Sequence, residues 1–167
     1  MMISAFRLKG PKALGVVALI FTTMLVYADE YAYKPSGHNA EHTLKLGEKW
    51  NTDEVVRLGM DNIRQAVSAS QGDIIQSRLS SQDYLRIANV VDQNVAVVVK
   101  KCRLSPDADK AFHTIVLVDL IGDVELMRTT QNVKAQQVGA LGVLQTLRNY
   151  GKYFQHPGWS SEAVKSR

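Results

Sequence analysis

The stretch SSQDYLRIANVVDQNVAVVVKKC, Ser80 to Cys102, carries the pattern that decides the fold. Ser80 followed three residues later by Asp83 has the form of a helix start, and Tyr84, Ala88, Val91, Val95, Val98 and Cys102 then recur at an unbroken alternation of four and three residues. A strand would alternate every second residue instead. The pattern predicts one long amphipathic helix with Cys102 in its buried seam.

The same period appears on both sides of this stretch. Upstream, Asn51 with Glu54 resembles a capping box, and Val56, Met60, Ile63 and Val67 form a stripe that can continue through Ile74 and Ile75 despite Gly72. Downstream, Ser105-Pro106-Asp107 supplies an N-cap, a proline at the first helical position and an acid in the first turn. A third helix starts there, with a seam of His113, Leu117, Leu120, Val124 and Met127 flanked by Phe112, Val116 and Ile121. Thr129 or Thr130 marks the start of a fourth, carrying Val133, Ala140, Leu144, Leu147, Gly151 and Phe154 until Pro157-Gly158 stops it. Four segments of about 22 to 26 residues make rods of about 33 to 39 Å. Matched rods with short links predict an all-α, up-down-up-down antiparallel four-helix bundle over residues 50–159.

The 20 Lys+Arg, 16 Asp+Glu and pI of about 9.2 suggest a basic protein, but Arg7, Lys9 and Lys12 precede an apolar run and residues 1–28 hold no acid. Without that segment 17 bases face 16 acids. Near-neutrality excludes a nucleic-acid binder, whose positive footprint would persist in the folded domain. A hydrophobic content of 46% with 22% charged residues excludes disorder.

Residues 1–28 have the organisation of a cleaved signal peptide: basic Met1 to Lys12, apolar Ala13 to Tyr27, and Val26-Tyr27-Ala28 before a cut at Asp29. The rival, an uncleaved anchor, is disfavoured because the apolar run falls short of the ~20 residues a spanning helix needs. No Cys follows the cut, so lipid modification is not expected. The expected destination is the periplasm. Residues 29–49, with Pro35 and Gly37, read as a mobile lead-in, and residues 160–167 as a C-terminal tail.

Cys102 is the sole cysteine, which rules out an intramolecular disulfide. It is a buried small hydrophobe, a thiol reserved for a ligand, or half of a link to another chain. In the expected bundle the first helix starts, the second ends, the third starts and the fourth ends at one end of the molecule. Met60 and His113 then lie on inward seams about 12 Å below that end. Cys102 sits nearer its rim, with Trp50, His156 and Trp159 at or beyond it.

A Met and a His at one level of a bundle are candidate axial ligands for haem b, and Cys102 with His113 is a candidate pair for a soft transition metal. The plainer alternative is core filling by Met60 and a satisfied structural histidine at 113. His38 and His42 have helical i, i+4 metal spacing but lie in the lead-in. There is no Cys-x-x-Cys-His, no paired Glu-x-x-His, no His-Glu-x-x-His, no Gly-x-Ser-x-Gly and no phosphate-binding glycine loop. Asp109, Asp119, Asp123 and Glu125 read as a solvated face. No catalytic residues are expected.

The stretches Gly47 to Glu54, Gly59 to Arg64 and Cys102 to Asp109 with His113, and above all the ending Tyr153-Phe154-Gln155-His156-Pro157-Gly158-Trp159, resemble an uncharacterised family of exported proteobacterial helical proteins. The resemblance spans roughly residues 44–159 and implies export and an all-helical domain without implying an activity. Two functions follow as expectations. One is a non-enzymatic periplasmic bundle binding a small ligand, metal or haem at one end through Met60, Cys102, His113 and His156. The other is a periplasmic protein-interaction or stress accessory module whose Trp50, Tyr153, Phe154 and Trp159 form an aromatic contact surface.

Overall fold

The computed structural model describes residues 48–159. The expected signal peptide, His38 and His42, the lead-in up to residue 47 and the tail 160–167 lie outside the described residues.

The chain is mostly helical, in the order β1 (Trp50–Asn51), α1 (Glu54–Ser68), α2 (Gln71–Ile75), α3 (Ser81–Lys101), α4 (Pro106–Phe112), a π-helical segment (His113–Leu117), α5 (Val118–Thr129), α6 (Val133–Tyr153) and β2 (Phe154–Gln155). Ser80 and Asp83 form a reciprocal capping box at the start of α3. Ser105 caps α4 with Pro106 at the first helical turn. Tyr84, Ala88, Val91, Val95 and Val98 are buried along α3, as the four-three alternation requires. Among the described residues no helix is long and apolar enough to cross a membrane.

Several expectations are corrected. The cap of α1 is Asp53, whose Oδ1 accepts from the Val56 N–H at 2.7 Å, because Asn51 is occupied in β1. The first helix also breaks at Ala69-Ser70, so Ile74 and Ile75 belong to the short α2. Ser68 and Ser70 flank the break, and serine side chains favour caps and turns over helix interiors. The fourth helix is capped by Asn132 and ends at Tyr153, and Phe154 lies in an extended pair rather than on the helix. Val133, placed in its seam by periodicity, is 41% exposed.

The third helix is corrected most. Phe112, Val116, Leu120, Val124 and Met127 are buried, but His113 is exposed. The π segment inserts about one extra residue into the turn, and each residue is worth about 100° of helical rotation. Extrapolating the α5 stripe backwards therefore lands on His113, whereas the true face before the π segment is Ala108, Ala111 and Phe112.

One core joins all the rods, built around Tyr84, Phe112, Tyr150, Phe154 and Met60, each no more than 1% exposed. The helices α5 and α6 pack closely, as do α1 and α3, and α3 also packs on α5. The parallel pairing of Trp50 with Phe154 and Asn51 with Gln155 brings the start of α1 to the end of α6. Asp53 Oδ2 accepts from the Arg103 N–H just beyond α3. The beginning of α1, the ends of α3 and α6 and the loop into α4 consequently meet at one end.

Candidate functional site at the clasped end

Polar contacts hold this end shut from both sides. The Lys49 ammonium donates to the Gly151 carbonyl at 2.6 Å, so the last residue of the expected lead-in is tied to the helical domain. Thr52 Oγ1 donates to the Gln155 carbonyl at 2.5 Å, and Arg57 donates to the Thr52 carbonyl. Beneath them Phe112, Tyr150 and Phe154 form an aromatic cluster, with Phe154 stacked on Tyr150 at 5.4 Å and edge-on to Phe112 at 5.5 Å. Such arrangements suit the negative faces and positive edges of the rings.

The C-terminal turn folds back over this cluster. Trp159 meets Tyr150 edge-on at 4.7 Å, and a Cβ on Gly151 would lie 2.4 Å from the Trp159 Nε1. Glycine at 151 is what lets the indole approach the helix. The Arg64 guanidinium lies over the Trp159 ring at 4.7 Å from its centroid, a cation–π contact that covers the indole from the α1 side.

Between these layers runs a polar chain. Tyr150 Oη lies 3.0 Å from His156 Nδ1, and His156 Nε2 lies 3.2 Å from Asp61 Oδ2. Asp61 Oδ1 in turn accepts from Arg64 at 2.9 Å. Because a carboxylate can only accept, the neutral imidazole carries its proton on Nε2 and Nδ1 accepts from the tyrosine hydroxyl. Burial lowers the His156 pKa; Asp61 opposes that shift, and Arg64 and Arg57 reinforce it. Burial raises the Tyr150 pKa well above the ordinary phenol value, so its hydroxyl remains a donor.

His156 and Asp61 form one wall of an open groove of about 400 Å³, completed by Glu54, Arg57, Leu58 and Pro157. Asp61 also borders an adjoining hollow of about 320 Å³ with Arg64, Gln65 and Ser68. The groove thus offers a guanidinium and carboxylates beside apolar Leu58, which is 62% exposed, while both nitrogens of the His156 imidazole are engaged by Tyr150 and Asp61.

Of the residues expected to bind a ligand, His156 alone borders this groove. Met60 is 1% exposed within the core, while His113 faces outward, so the two do not form an axial pair and do not fit haem. Cys102 is the half-buried cap of α3 rather than a full member of its seam. Its thiol pKa is pushed up by burial, with Asp109 and Asp53 adding, which disfavours the thiolate that a soft metal needs. With His113 exposed, the Cys102–His113 pair is not assembled, and among the described residues no three His, Cys, Asp or Glu side chains are grouped to hold a metal ion.

Of the expected aromatic contact surface, Phe154 is corrected, being 1% exposed, whereas Trp50, Tyr153 and Trp159 are partly buried against the core and keep part of their surface exposed. Phe154 is used internally, to fasten the chain end. Thr52, Arg57, Asp61, Arg64 and Tyr150 were not expected as site residues because each is an ordinary residue type with no distinctive spacing in the sequence. The available signal was Asp61 and Arg64 at i, i+3 beside the Met60 seam. Comparison of the chain with family models, with curated proteins and with solved structures finds no match.

Proposed function

We propose that the chain is a non-enzymatic, exported binding protein that takes a small polar ligand in the groove at its clasped end. The observation that carries this reading is the groove walled by His156 and Asp61, in which the imidazole is fixed from behind by the Tyr150 hydroxyl. Pre-oriented polar groups beside apolar surface are what a small-molecule site needs, since little ordering remains to be done on binding. Arg57 and Glu54 supply opposite charges at the groove rim, which suits a solute bearing both a carboxylate and an ammonium group.

In the proposed architecture the rods alternate in direction as an up-down-up-down bundle, a reading supported by the convergence of the start of α1 with the ends of α3 and α6. Loss of residues 1–28 on export would deliver this domain to the periplasm. Kinship with exported proteobacterial helical proteins is part of the same proposal. The inward packing of Tyr150, Phe154, His156 and Trp159 supplies a physical reason for a family to keep such an ending.

The test is an amide NMR titration of the full chain with glycine, acetate and methylammonium as separate probes. Glycine is expected to shift resonances of Arg57, Leu58, Asp61 and His156 more than either single-charge probe, and Arg57→Gln is expected to weaken the response at least about tenfold, the worth of one charge-assisted hydrogen bond. An absence of localised shifts with all three probes would remove the reading.

A further inference from the structure

We infer that Asp123 is a proton-binding site coupled to the seam between α5 and α6: the closed seam holds its carboxyl protonated, and ionisation drives the two helices apart. This site lies outside the groove and does not depend on it. Asp123 was expected on a solvated face, but it is 7% exposed. Its carboxyl rests against Gly142 so closely that a Cβ there would lie 2.1 Å from Oδ1. One turn earlier on α6, a Cβ at Gly139 would lie 2.7 Å from the Asp123 carbonyl oxygen and 2.9 Å from Met127 Cγ. The two glycines are therefore a cradle that admits the acid.

The cradle accommodates the carboxyl without neutralising it. Asp123 Oδ2 is buried with no hydrogen-bond partner, and the buried hydroxyl of Thr146, one turn beyond Gly142, likewise has none. α6 thus offers glycine backbone and a neutral hydroxyl at this level. From α3, the other helix packed on α5, Asp92 is engaged with Arg128 at 2.8 Å in an exposed pair. The charge that acts appreciably on Asp123 is Asp119, one turn earlier on its own helix, and it repels. An isolated carboxylate in such a place is costly, and taking up a proton from water converts it to a neutral acid that can itself donate. Burial, reinforced by Asp119, lifts its pKa from 3.8 to about 8.

Between 3.8 and about 8 the folded chain holds a proton that the unfolded chain has released, so stability falls as pH rises through that window. A single linked proton makes the fall approach tenfold in the folding equilibrium constant per pH unit. Above the window the carboxylate is charged in both states, and the seam carries the full burden of the buried ion.

The experiment is a pH titration of the Asp123 side-chain carboxyl in the ¹³C-labelled full chain, with amide exchange followed across Gly139 to Thr146. A midpoint near 8 with faster exchange above it is expected. A midpoint in the ordinary carboxylate range would overturn the inference. Wild type is expected to show the decline of up to tenfold per pH unit in urea unfolding and Asp123→Asn to lose it; an unchanged decline would count equally against the inference. Because the carboxyl titration uses the wild-type chain, a variant that fails to fold leaves the test intact. Gly142→Ala should destabilise the wild-type chain more than an Asp123→Ala chain; equal losses would place the carboxyl away from Gly142 and overturn the geometry.

Discussion

At the scale of single residues, His156 shows two opposed effects acting on one group. Its side chain is 5% exposed, which favours the neutral ring, whereas Asp61 favours the cation. The Asp61 side chain is 41% exposed, so water and salt screen its attraction, and burial prevails. The folded pKa therefore lies below the unfolded value of 6.5. A depressed folded value means that the unfolded chain takes up the proton first, so the His156 contribution is complete above about 6.5 and is lost as pH falls below it. Urea unfolding of wild type and His156→Phe across that range should show wild type losing relative stability on acidification. The opposite slope would mean that the Asp61 pair dominates. Acid at His156 and alkali at Asp123 thus bear on different parts of the molecule, the clasp and the α5–α6 seam.

At the scale of elements, the boundaries with local chemical causes were legible in the sequence. Ser80 with Asp83, and Ser105 with Pro106, specify helix starts through groups no more than a few residues apart, and both starts stand where they were expected. The π segment has no such signature, since His113-Thr114-Ile115-Val116-Leu117 is compatible with an ordinary helix and only tertiary packing selects the wider turn. With one residue fewer, Phe112, Val116, Leu117 and Leu120 would fall at intervals of three, four and seven from Phe112, a continuous α-helical face. Deleting Thr114 is therefore expected to leave a folded chain whose stability changes by no more than about 1 kcal/mol, the scale of ordinary point changes. Circular dichroism and urea unfolding check this. A loss of cooperative unfolding would mean that the extra residue is required for packing rather than accommodated by it. The same reasoning explains why the site was half legible: His156 stood out by type, but its partners Asp61 and Tyr150 are 95 and 6 residues away and are united only by packing.

At the scale of the whole molecule, the two short strands are the least local feature and were invisible to periodicity, because two residues cannot display a period. Their pairing joins positions more than 100 residues apart, as does the Lys49 contact with Gly151. The helices have strong internal patterns and can be stabilised before this closure, whereas Trp50 and Phe154 gain their pairing only once the rods are assembled. Contacts that pay a large closure entropy tend to form after the transition state, and changes at such positions appear in the unfolding rate. Phe154, buried between Phe112 and Tyr150, is the place to test this order. Phe154→Ala should cost about 3 to 5 kcal/mol, the usual loss for a buried phenylalanine. In stopped-flow kinetics most of that loss should appear as faster unfolding, with the refolding arm nearly unchanged. Refolding slowed in proportion to the whole loss would instead place the clasp in the nucleus, and the end of the chain would then direct the assembly of the helices rather than fasten them once packed.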